Sequence, residues 1–390
     1  MDLIVFEDDA TRQFGPLTTL RHVAELRCGR WSMLERCERL AVSVARLWGR
    51  GEVCDWAHNR LGRRVNERAE QPTRFLSGRV VWWDVPVPEG DVLGVIDDVV
   101  VFASLEDPSH LTPGDALAGR WPELPQIDVS DCGRLVSWPW ELVLKNADQI
   151  AVDLDDLPAS GFAEPGLHVT GSRLHVGEGT TFGPGVVLDT DPGPIWIGRD
   201  VTIKANAVIE GPAVIGDGCT IQHHAQIHEG VTLGPRCKIG GEVEASIVQG
   251  FSNKQHYGFL GHSYLGEWIN LGAGCTTSDL KNTYGTVAVP LLADEPPVDS
   301  GSLFCGLTCG DYAKLGINTA VPTGACIGVG SNVMGSRVPK RVEAMQWVVD
   351  GQSQPFDRDK AVAIATRMMQ RRDRSLGEAG ERLLRGVGPM

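Results

Sequence analysis

Aliphatic residues recur at every sixth position in the middle of the chain, from residue 197 to residue 239. The residues between them are mostly small, polar or turn-forming. The repeated positions are Ile197, Ile203, Ile209, Ile215, Ile221, Ile227, Leu233 and Ile239. Neither the period of a helix, about 3.6 residues, nor the two-residue period of a strand fits this spacing. A six-residue period is typical of a parallel β-helix, in which each hexapeptide forms a strand and a turn and points its aliphatic residue into an axial core.

The repeat continues on both sides of this stretch, with interruptions. Upstream it is visible as Val176-Gly177 and Phe182-Gly183. Downstream the phase breaks between residues 245 and 259, resumes, and breaks again over a long insert. The predicted inward positions after the first break are Phe259, Leu265, Leu271, Leu303, Cys309, Leu315, Val321, Ile327 and Val333. Loops leave the wall of a solenoid where its phase breaks, and such loops often form a binding face.

Before the repeat, short apolar runs alternate with helical patterns, which predicts an α/β domain over residues 1–152. Ser32 and Glu35 form a capping-box pattern that predicts a helix over 33–47, and Pro139 predicts a helix over 140–150. The predicted strands are 3–6, 80–83, 92–96 and 99–103. We expect the domain to be followed by a linker (153–166), the β-helix (167–340) and a tail (341–390) with an amphipathic helical pattern over 357–387.

Composition narrows the classes of function. The 390 residues carry a net charge of −14, which argues against a nucleic acid or an anionic membrane as partner. No apolar run is long enough to span a bilayer, and the first residues do not read as a signal peptide. The ten cysteines show no framework spacing. We therefore expect a cytoplasmic protein with reduced thiols.

Several stretches resemble a known family. HYGFLG over 256–261, YLG over 264–266 and NLGAG over 270–274 resemble the acetyltransferase half of the bifunctional bacterial uridyltransferase/glucosamine-1-phosphate acetyltransferase. GDYAKLGIN over 310–318 and TSDLKNTYG over 277–285 are similar to the alternative bacterial and archaeal branch of enzymes with these two activities. The resemblance implies a left-handed parallel β-helix, and it implies trimers with acyl-donor sites between neighbouring subunits.

The resemblance also implies roles for single residues. His256 matches the family's base, which takes the amine proton during N-acetyl transfer from acetyl-CoA, and histidine suits this role because its pKa lies near neutral pH. Glu242 matches the glutamate that orients this histidine, since a carboxylate on the far ring nitrogen fixes the tautomer. Asn270 matches a sugar-contacting residue, and Ala273 matches a residue at the acetyl-CoA site.

The expected acceptor is an amino-sugar phosphate or a nucleotide sugar. Lys254, Lys281 and Lys314 are candidates for binding its phosphates as point charges. Two positions depart from the family. Its phosphate-contacting tyrosine falls on Phe259 and a phosphate-binding lysine falls on Glu244. Acyl transfer remains the prediction. Glucosamine-1-phosphate is less favoured as the acceptor, because two residues that would contact its phosphate are replaced.

The first domain resembles the sugar-nucleotidyltransferase half of the family more distantly, as a reduced Rossmann-like domain. Arg12 lies where a phosphate-contacting arginine would be, and Arg21 could replace the family's lysine in binding a nucleoside triphosphate. The glycine-rich turn that lets a backbone approach phosphates is absent. Asp97 and Asp98 are candidates for holding Mg²⁺ against a nucleotide phosphate. The alternative is a degenerate domain that only binds a sugar nucleotide or supports assembly of the protein.

Two other classes of function stay open. His223 and His228 have the spacing of zinc ligands in the γ-type carbonic anhydrase, which is also built on a left-handed β-helix. The third zinc ligand should lie two full coils earlier in the chain. At about eighteen residues a coil, this position falls near Val187, which cannot bind zinc. The other alternative is a non-catalytic trimeric scaffold.

Overall fold

The computed structural model describes residues 2–40, 44–336 and 338–388. An N-terminal α/β domain packs along a three-sided β-helix, and two C-terminal helices pack at one of its corners. Within the described ranges, no helix is both long and apolar enough to cross a membrane.

The N-terminal domain contains a mixed sheet of order β10-β8-β9-β6-β1-β4-β5. Its strands are β1 (Asp2–Phe6), β2 (Arg27–Cys28), β3 (Trp31–Ser32), β4 (Arg46–Trp48), β5 (Arg64–Val65), β6 (Thr73–Ser77), β7 (Val80–Trp82), β8 (Val92–Ile96), β9 (Val99–Leu105), β10 (Gln126–Asp128) and β11 (Gly133–Leu135). Its α-helices are α1 (Met33–Leu40), α2 (Gly51–Leu61), α3 (Pro113–Leu117), α4 (Pro139–Leu144) and α5 (Asn146–Asp153), and 3₁₀ turns span Asp9–Leu17 and Val23–Glu25. The predicted strands over 3–6, 80–83, 92–96 and 99–103 are confirmed as β1, β7, β8 and β9.

Helix α1 begins at the predicted capping box. The backbone N–H of Glu35 donates to Ser32 Oγ (3.1 Å), and the Ser32 N–H donates to Glu35 Oε2 (2.7 Å). The predicted extension of this helix to residue 47 is wrong, because residues 46–48 form β4, which pairs in parallel with β1. Residues 41–43 of that prediction lie outside the described part of the chain. Pairing with a buried central strand overrides the helical pattern of a single segment.

The predicted helix over 140–150 is divided in two. Pro139 occupies the first turn of α4, as expected for a residue without a backbone N–H. Lys145, with φ −101° and ψ 1°, separates α4 from α5.

The β-helix contains many short strands. They are β12 (Leu167–Thr170), β13 (Leu174–Val176), β14 (Thr181–Phe182), β15 (Val186–Asp189), β16 (Ile195–Ile197), β17 (Thr202–Ile203), β18 (Val208–Glu210), β19 (Ala213–Ile215), β20 (Thr220–Ile221), β21 (Gln226–Ile227), β22 (Val231–Leu233), β23 (Lys238–Ile239), β24 (Glu242–Glu244), β25 (Ile247–Gly250), β26 (Asn253–Lys254), β27 (Phe259–Gly261), β28 (Tyr264–Glu267), β29 (Asn270–Leu271), β30 (Thr276–Thr277), β31 (Ala288–Val289), β32 (Val298–Asp299), β33 (Thr308–Cys309), β34 (Lys314–Leu315), β35 (Ala320–Val321), β36 (Cys326–Ile327), β37 (Asn332–Met334), β38 (Arg341–Val342), β39 (Gln346–Val349) and β40 (Gln352–Pro355).

Apart from β30 and β35, which pair with each other, and the β31–β32 hairpin, these strands form three sheets that we call the first, second and third face. The first face runs β12-β15-β18-β21-β24-β27, the second β13-β16-β19-β22-β25-β28-β33-β36-β38, and the third β14-β17-β20-β23-β26-β29-β34-β37-β39, with β40 antiparallel at its end. On the third face Ile203 pairs with Ile221, and Ile221 with Ile239, so a regular coil takes eighteen residues. The periodic aliphatic positions are buried, which confirms the predicted axial core.

The first predicted phase break is a shortened coil. On the third face Ile239 pairs with Lys254, fifteen residues later, so Lys254 occupies an inward position. The shortening moves the next inward residue of the first face to Leu260, which is fully buried. The prediction that Phe259 points inward is therefore wrong, because its neighbour takes that place.

The second break is an insert over residues 278–306, which carries the β31–β32 hairpin. Leu303, predicted to point inward, belongs to this insert and is 44% exposed. The later inward positions of the repeat, from Cys309 to Val333, are buried as predicted.

The C-terminal boundary also differs from the prediction. Strands β38, β39 and β40 extend the β-helix past residue 340, because the repeat continues to pair with β36 and β37. Two helices follow, α6 (Arg358–Gln370) and α7 (Gly377–Gly386), and Asp357 caps the first of them. They pack against α2 and against a corner of the β-helix.

Candidate active site

A small cavity lies at the corner between the third and the first face of the β-helix. The cavity has a volume of about 250 Å³. Its walls include His256, Asn270 and Ala273, three residues that the sequence assigns to acyl transfer. The other lining residues are Asn253, Gln255, Leu271, Gly272 and Ile317. These residues are far apart in the sequence, and they meet because successive coils stack on one another.

The corner that carries His256 has an unusual backbone. Gly258 has φ +125°, a value that side chains rarely tolerate, and a Cβ there would collide with the carbonyl oxygen of Cys275. The turn therefore needs glycine at this position. His256 itself is exposed on the cavity wall, and its ring makes no hydrogen bond within the described residues.

Lys254 supports this corner from inside. Its side chain is only 2% exposed, and its Nζ donates to the carbonyl oxygens of Gly240 (2.7 Å) and Gly258. Burial lowers the pKa of Lys254 to about 8. The prediction that Lys254 binds a substrate phosphate does not fit this placement, because the ammonium group is committed to backbone carbonyls in the core.

The carboxylate predicted to orient His256 lies elsewhere. Glu242 Oε1 is 3.5 Å from Nε2 of His228, whose Nδ1 is 2.8 Å from Glu210 Oε2. Burial opposes a charge on His228, but Glu210 and then Glu242 outweigh it and raise the pKa of His228. Within the described residues no carboxylate forms an ion pair with His256.

A histidine that the sequence analysis did not single out has a carboxylate partner. His262 Nδ1 lies 2.8 Å from Asp279 Oδ2, and its ring stacks on Phe304 at 4.8 Å between centroids. Both partners are largely buried, with side chains 15% and 13% exposed. The sequence does contain a signal for this contact. The two residues are seventeen positions apart, which is about one coil, and this spacing stacks them on the same corner.

The other two lysines also have backbone partners. Lys314 Nζ donates to the carbonyl of Tyr312 (2.7 Å), and burial lowers the pKa of Lys314 to about 8. Lys281 Nζ donates to the carbonyl of Thr286 within the insert. Neither lysine lines the cavity of His256.

The two arginines predicted to bind a nucleotide have different surroundings. Arg12 is 63% exposed and lies 3.6 Å from Glu295 of the insert. Arg21 is buried and its Nη2 contacts both carboxylate oxygens of Asp311 at 2.6 Å. The prediction that Arg21 contacts a nucleotide is inconsistent with this geometry, because its charge is already paired with the β-helix.

Asp97 and Asp98 are the two turn residues between β8 and β9, with φ of 50° and 62°. Strands β8 and β1 run in the same direction, so these carboxylates lie at the sheet edge that also carries Arg12. Strands β6 and β9 intervene, which separates the two positions by roughly 14 Å at about 4.8 Å a strand. Both carboxylates are exposed.

The described residues contain no group of three or more histidine, cysteine or carboxylate side chains that could hold a metal ion. His223, which the zinc alternative needs, is exposed, and His228 is occupied by Glu210. The zinc alternative thus lacks a ligand set in this part of the chain. By the same test, Asp97 and Asp98 do not form a magnesium site by themselves.

Comparison with known proteins gives two family matches. Residues 194–229 match the family described as bacterial transferase hexapeptide (six repeats), and residues 3–48 match the family described as sugar nucleotidyl transferase. These matches lie in the β-helix and at the start of the N-terminal domain, where the sequence predicted these two classes.

Similar curated proteins include bifunctional protein GlmU of Rippkaea orientalis, 28% identical over 141 residues, which are 35% of this chain and 30% of that protein. GlmU of a Synechococcus species is 33% identical over 128 residues, 32% of this chain and 27% of that protein. The chain thus spans less than a third of the length of each of these relatives. The resemblance to this family that the sequence predicted is confirmed.

Among solved structures, the Arabidopsis UDP-N-acetylglucosamine acyltransferase matches with a TM-score of 0.26 and 11% identity, covering 54% of this chain and 80% of that one. The enzyme of the same name from Campylobacter jejuni matches with a TM-score of 0.19 and 13% identity, covering 58% and 90%.

Proposed function

We propose that the protein transfers an acyl group from acyl-CoA, with acetyl-CoA as the expected donor, to an amino group of a sugar phosphate or nucleotide sugar. The observation that carries this proposal is the cavity in which His256, Asn270 and Ala273 meet. Its volume of about 250 Å³ suits an acetyl group and part of a sugar, but not a whole coenzyme.

In this reaction the amine nitrogen attacks the thioester carbon and coenzyme A leaves as a thiol. A base must accept the proton that the nitrogen loses. His256 is exposed to the cavity and takes this role in the proposal, with Asn270 contacting the acceptor and Ala273 leaving room for the donor. Since no carboxylate of the described residues orients His256, the tautomer would be selected by the bound substrate.

His262 is a second candidate for the base, favoured by its contact with Asp279. A carboxylate on Nδ1 leaves Nε2 as the proton acceptor, which is the arrangement that general bases commonly use. In contrast with His256, it is not among the residues that line the small cavity. Cavity and carboxylate thus favour different histidines, and kinetics of variants can separate them.

The test of the proposal is release of free thiol from acetyl-CoA by the purified full chain. Glucosamine-1-phosphate and amino-sugar nucleotides serve as acceptors, and the corresponding N-acetylated sugars serve as the matched control. Release that depends on a free amine supports the proposal. Absence of release with every amine acceptor would favour the non-catalytic scaffold.

For the N-terminal domain we propose binding of a sugar nucleotide or its precursors, with nucleotidyl transfer as the second activity. Support comes from the family match over residues 3–48 and from the sheet edge that carries Arg12. Pyrophosphate release from nucleoside triphosphates and sugar-1-phosphates, with and without Mg²⁺, tests the activity. Binding without turnover would indicate the degenerate domain.

Assembly as a trimer and a cytoplasmic location remain part of the same proposal. Mass determination by light scattering on the purified chain tests the trimer.

A further inference from the structure

We propose that the insert of the β-helix carries an autoinhibitory contact, in which Glu295 occupies Arg12 until a nucleotide displaces it. The part of the insert involved is the segment 290–297 between β31 and β32, which we call the insert tip. This contact rests on the nucleotide binding proposed for the N-terminal domain, and it adds a control that the β-helix exerts on that domain. Acyl transfer by the β-helix is not required for it.

The insert tip reaches the edge of the N-terminal sheet where a nucleotide would bind. Strands β4, β1 and β6 are parallel neighbours. Ligands of open α/β sheets bind outside the carboxyl ends of such strands. The 3₁₀ turn Asp9–Leu17 follows the carboxyl end of β1 and carries Arg12, the proposed phosphate contact. The tip lies against this turn, so it borders the proposed site directly.

A buried leucine fixes the insert tip on the 3₁₀ turn. Leu291 is 1% exposed, and its Cδ2 would lie 2.9 Å from a Cβ on Gly15. Gly15 has φ +52°, where residues with side chains are strained, so glycine permits the close approach. Leu291 also belongs to an apolar cluster with Val287 and Val289 of the insert and Trp140 of α4. The tip is therefore held on the N-terminal domain by apolar burial as well as by charge.

Arg12 holds the exchangeable charge of this edge. The other arginines in the loops at the carboxyl ends of β1, β4 and β6 are paired with largely buried carboxylates. These pairs are Arg21–Asp311, Arg50–Glu7 and Arg79–Asp8. The guanidinium of Arg12, in contrast, is 63% exposed and lies 3.6 Å from Glu295, which is 44% exposed. An exposed pair of this kind is weak, so an incoming anion can replace Glu295.

The anchored residues stand at one end of the insert tip, and Glu295 stands further along. The carbonyl of Pro290 accepts a hydrogen bond from Nη1 of Arg341 in β38 (3.1 Å), beside the buried Leu291. Residues 293–297 are all exposed. The Glu295 carboxylate can therefore move aside while Leu291 stays in place, and the hairpin need not unfold.

A phosphate and the Glu295 carboxylate would compete for one guanidinium. Arginine binds both groups through the same fork of N–H donors. If the carboxylate stays, the two anions repel each other at close range, where the Coulomb energy is largest. The ion pair of the wild type therefore lowers the affinity of the N-terminal domain for anionic ligands, and a nucleotide has to replace Glu295 in order to use Arg12.

Equilibrium binding of nucleoside triphosphates to the full chain tests the contact, with calorimetry at about 0.15 M salt as the readout. The probes are the triphosphates of uridine, thymidine, adenosine, guanosine and cytidine, each with Mg²⁺. Glu295→Gln keeps the length of the side chain and removes its charge, so it should tighten binding roughly two- to fivefold, the size of an exposed charge interaction. Asp294→Asn is the matched control, since it removes the same charge from an exposed neighbour that forms no ion pair within the described residues. It should leave the affinity unchanged.

A double variant separates competition for Arg12 from a general effect of charge. Arg12→Ala should weaken binding, because a charged contact with phosphate is lost. In that background Glu295→Gln should no longer tighten binding, since the group for which the two anions compete is absent. A merely structural role of Glu295 would not change nucleotide affinity in this pattern.

The outcomes separate the autoinhibitory contact from the proposed nucleotide binding. If a triphosphate binds the wild type and Glu295→Gln leaves its affinity unchanged or weakens it, the contact does not inhibit and nucleotide binding stands. A gain in affinity that persists in the Arg12→Ala background overturns the competition in the same way. If no triphosphate binds either the wild type or Glu295→Gln, nucleotide binding by this domain fails and the autoinhibitory role fails with it.

Discussion

Arg21 of the N-terminal domain and Asp311 of the β-helix form a buried ion pair, in which Nη2 lies 2.6 Å from each carboxylate oxygen. Glu267 adds a second carboxylate 3.7 Å from Nη1 of Arg21. The side chains of Arg21 and Asp311 are 2% and 1% exposed, so neither charge has access to water in place of its partner. The pair therefore ties the two domains together.

We expect Arg21→Met to destabilise the protein by about 3–5 kcal/mol, because Asp311 would remain as a buried charge without its partner. The double variant Arg21→Met/Asp311→Leu should recover most of this loss. Denaturant unfolding measures both. Arg12→Ala, which removes an exposed ion pair, is the control and should stay within about 0.5 kcal/mol of wild type. A double variant no more stable than Arg21→Met would contradict this account.

The pair also shows why the role of Arg21 could not be read from the sequence. Its position after the first strand fits a nucleotide contact, and only the packing of two distant segments shows what occupies it. The repeat, by contrast, was predictable because each inward residue depends on a local six-residue period. The prediction failed at Phe259, because the coil there has fewer than eighteen residues and Leu260 takes the inward position.

The small cavity was partly predictable for the same reason. Asn270 and Ala273 lie on either side of the inward Leu271, so a family match fixes their places on the wall. The contact of His262 with Asp279 could not be assigned in this way, since Asp279 stands at the root of an insert whose path has no period.

His256→Ala should lower the rate of acyl transfer by about 10² or more, since a general base contributes that much. Steady-state thiol release measures it. His223→Ala, which changes an exposed histidine outside the cavity, is the control and should have wild-type rates.

Asp279→Asn should leave the rate within about threefold of wild type if His256 is the base, because it alters only the contact with His262. A large loss in Asp279→Asn together with a mild effect of His256→Ala would instead assign the base to His262.

Ala273→Leu should raise the KM for acetyl-CoA with a smaller effect on kcat, because the added carbon atoms fill part of the small cavity. Ala320→Leu, on the exposed surface of β35, is the matched control and should not change either constant. Equal effects of the two substitutions would show that the cavity is not the donor site.

Lys254→Met should change stability in a pH-dependent way. The pKa of Lys254 is lowered to about 8 from its ordinary value of 10.5, so the unfolded chain binds more protons between these pH values. Burying the charge costs the wild type up to about 3 kcal/mol at neutral pH, and this cost disappears as the pH rises from 8 to 10.5.

The methionine variant carries no such cost, although it loses the hydrogen bonds to Gly240 and Gly258. The stability of the wild type should therefore rise relative to the variant across this range. Unfolding midpoints at pH 7 and at pH 10 measure the change. If the difference in unfolding midpoint between wild type and variant is the same at pH 7 and at pH 10, Lys254 does not titrate in the core.

The N-terminal domain lies along the second face of the β-helix, where Tyr264 Oη accepts from the Arg27 N–H and Asn146 Nδ2 donates to the Gly230 carbonyl. This covering restricts how copies of the chain can assemble. A symmetric bundle cannot bring its second faces together at the central axis without expelling a whole folded domain. In the proposed trimer, neighbouring prisms would therefore meet along their first or third faces, which are the ones that border His256.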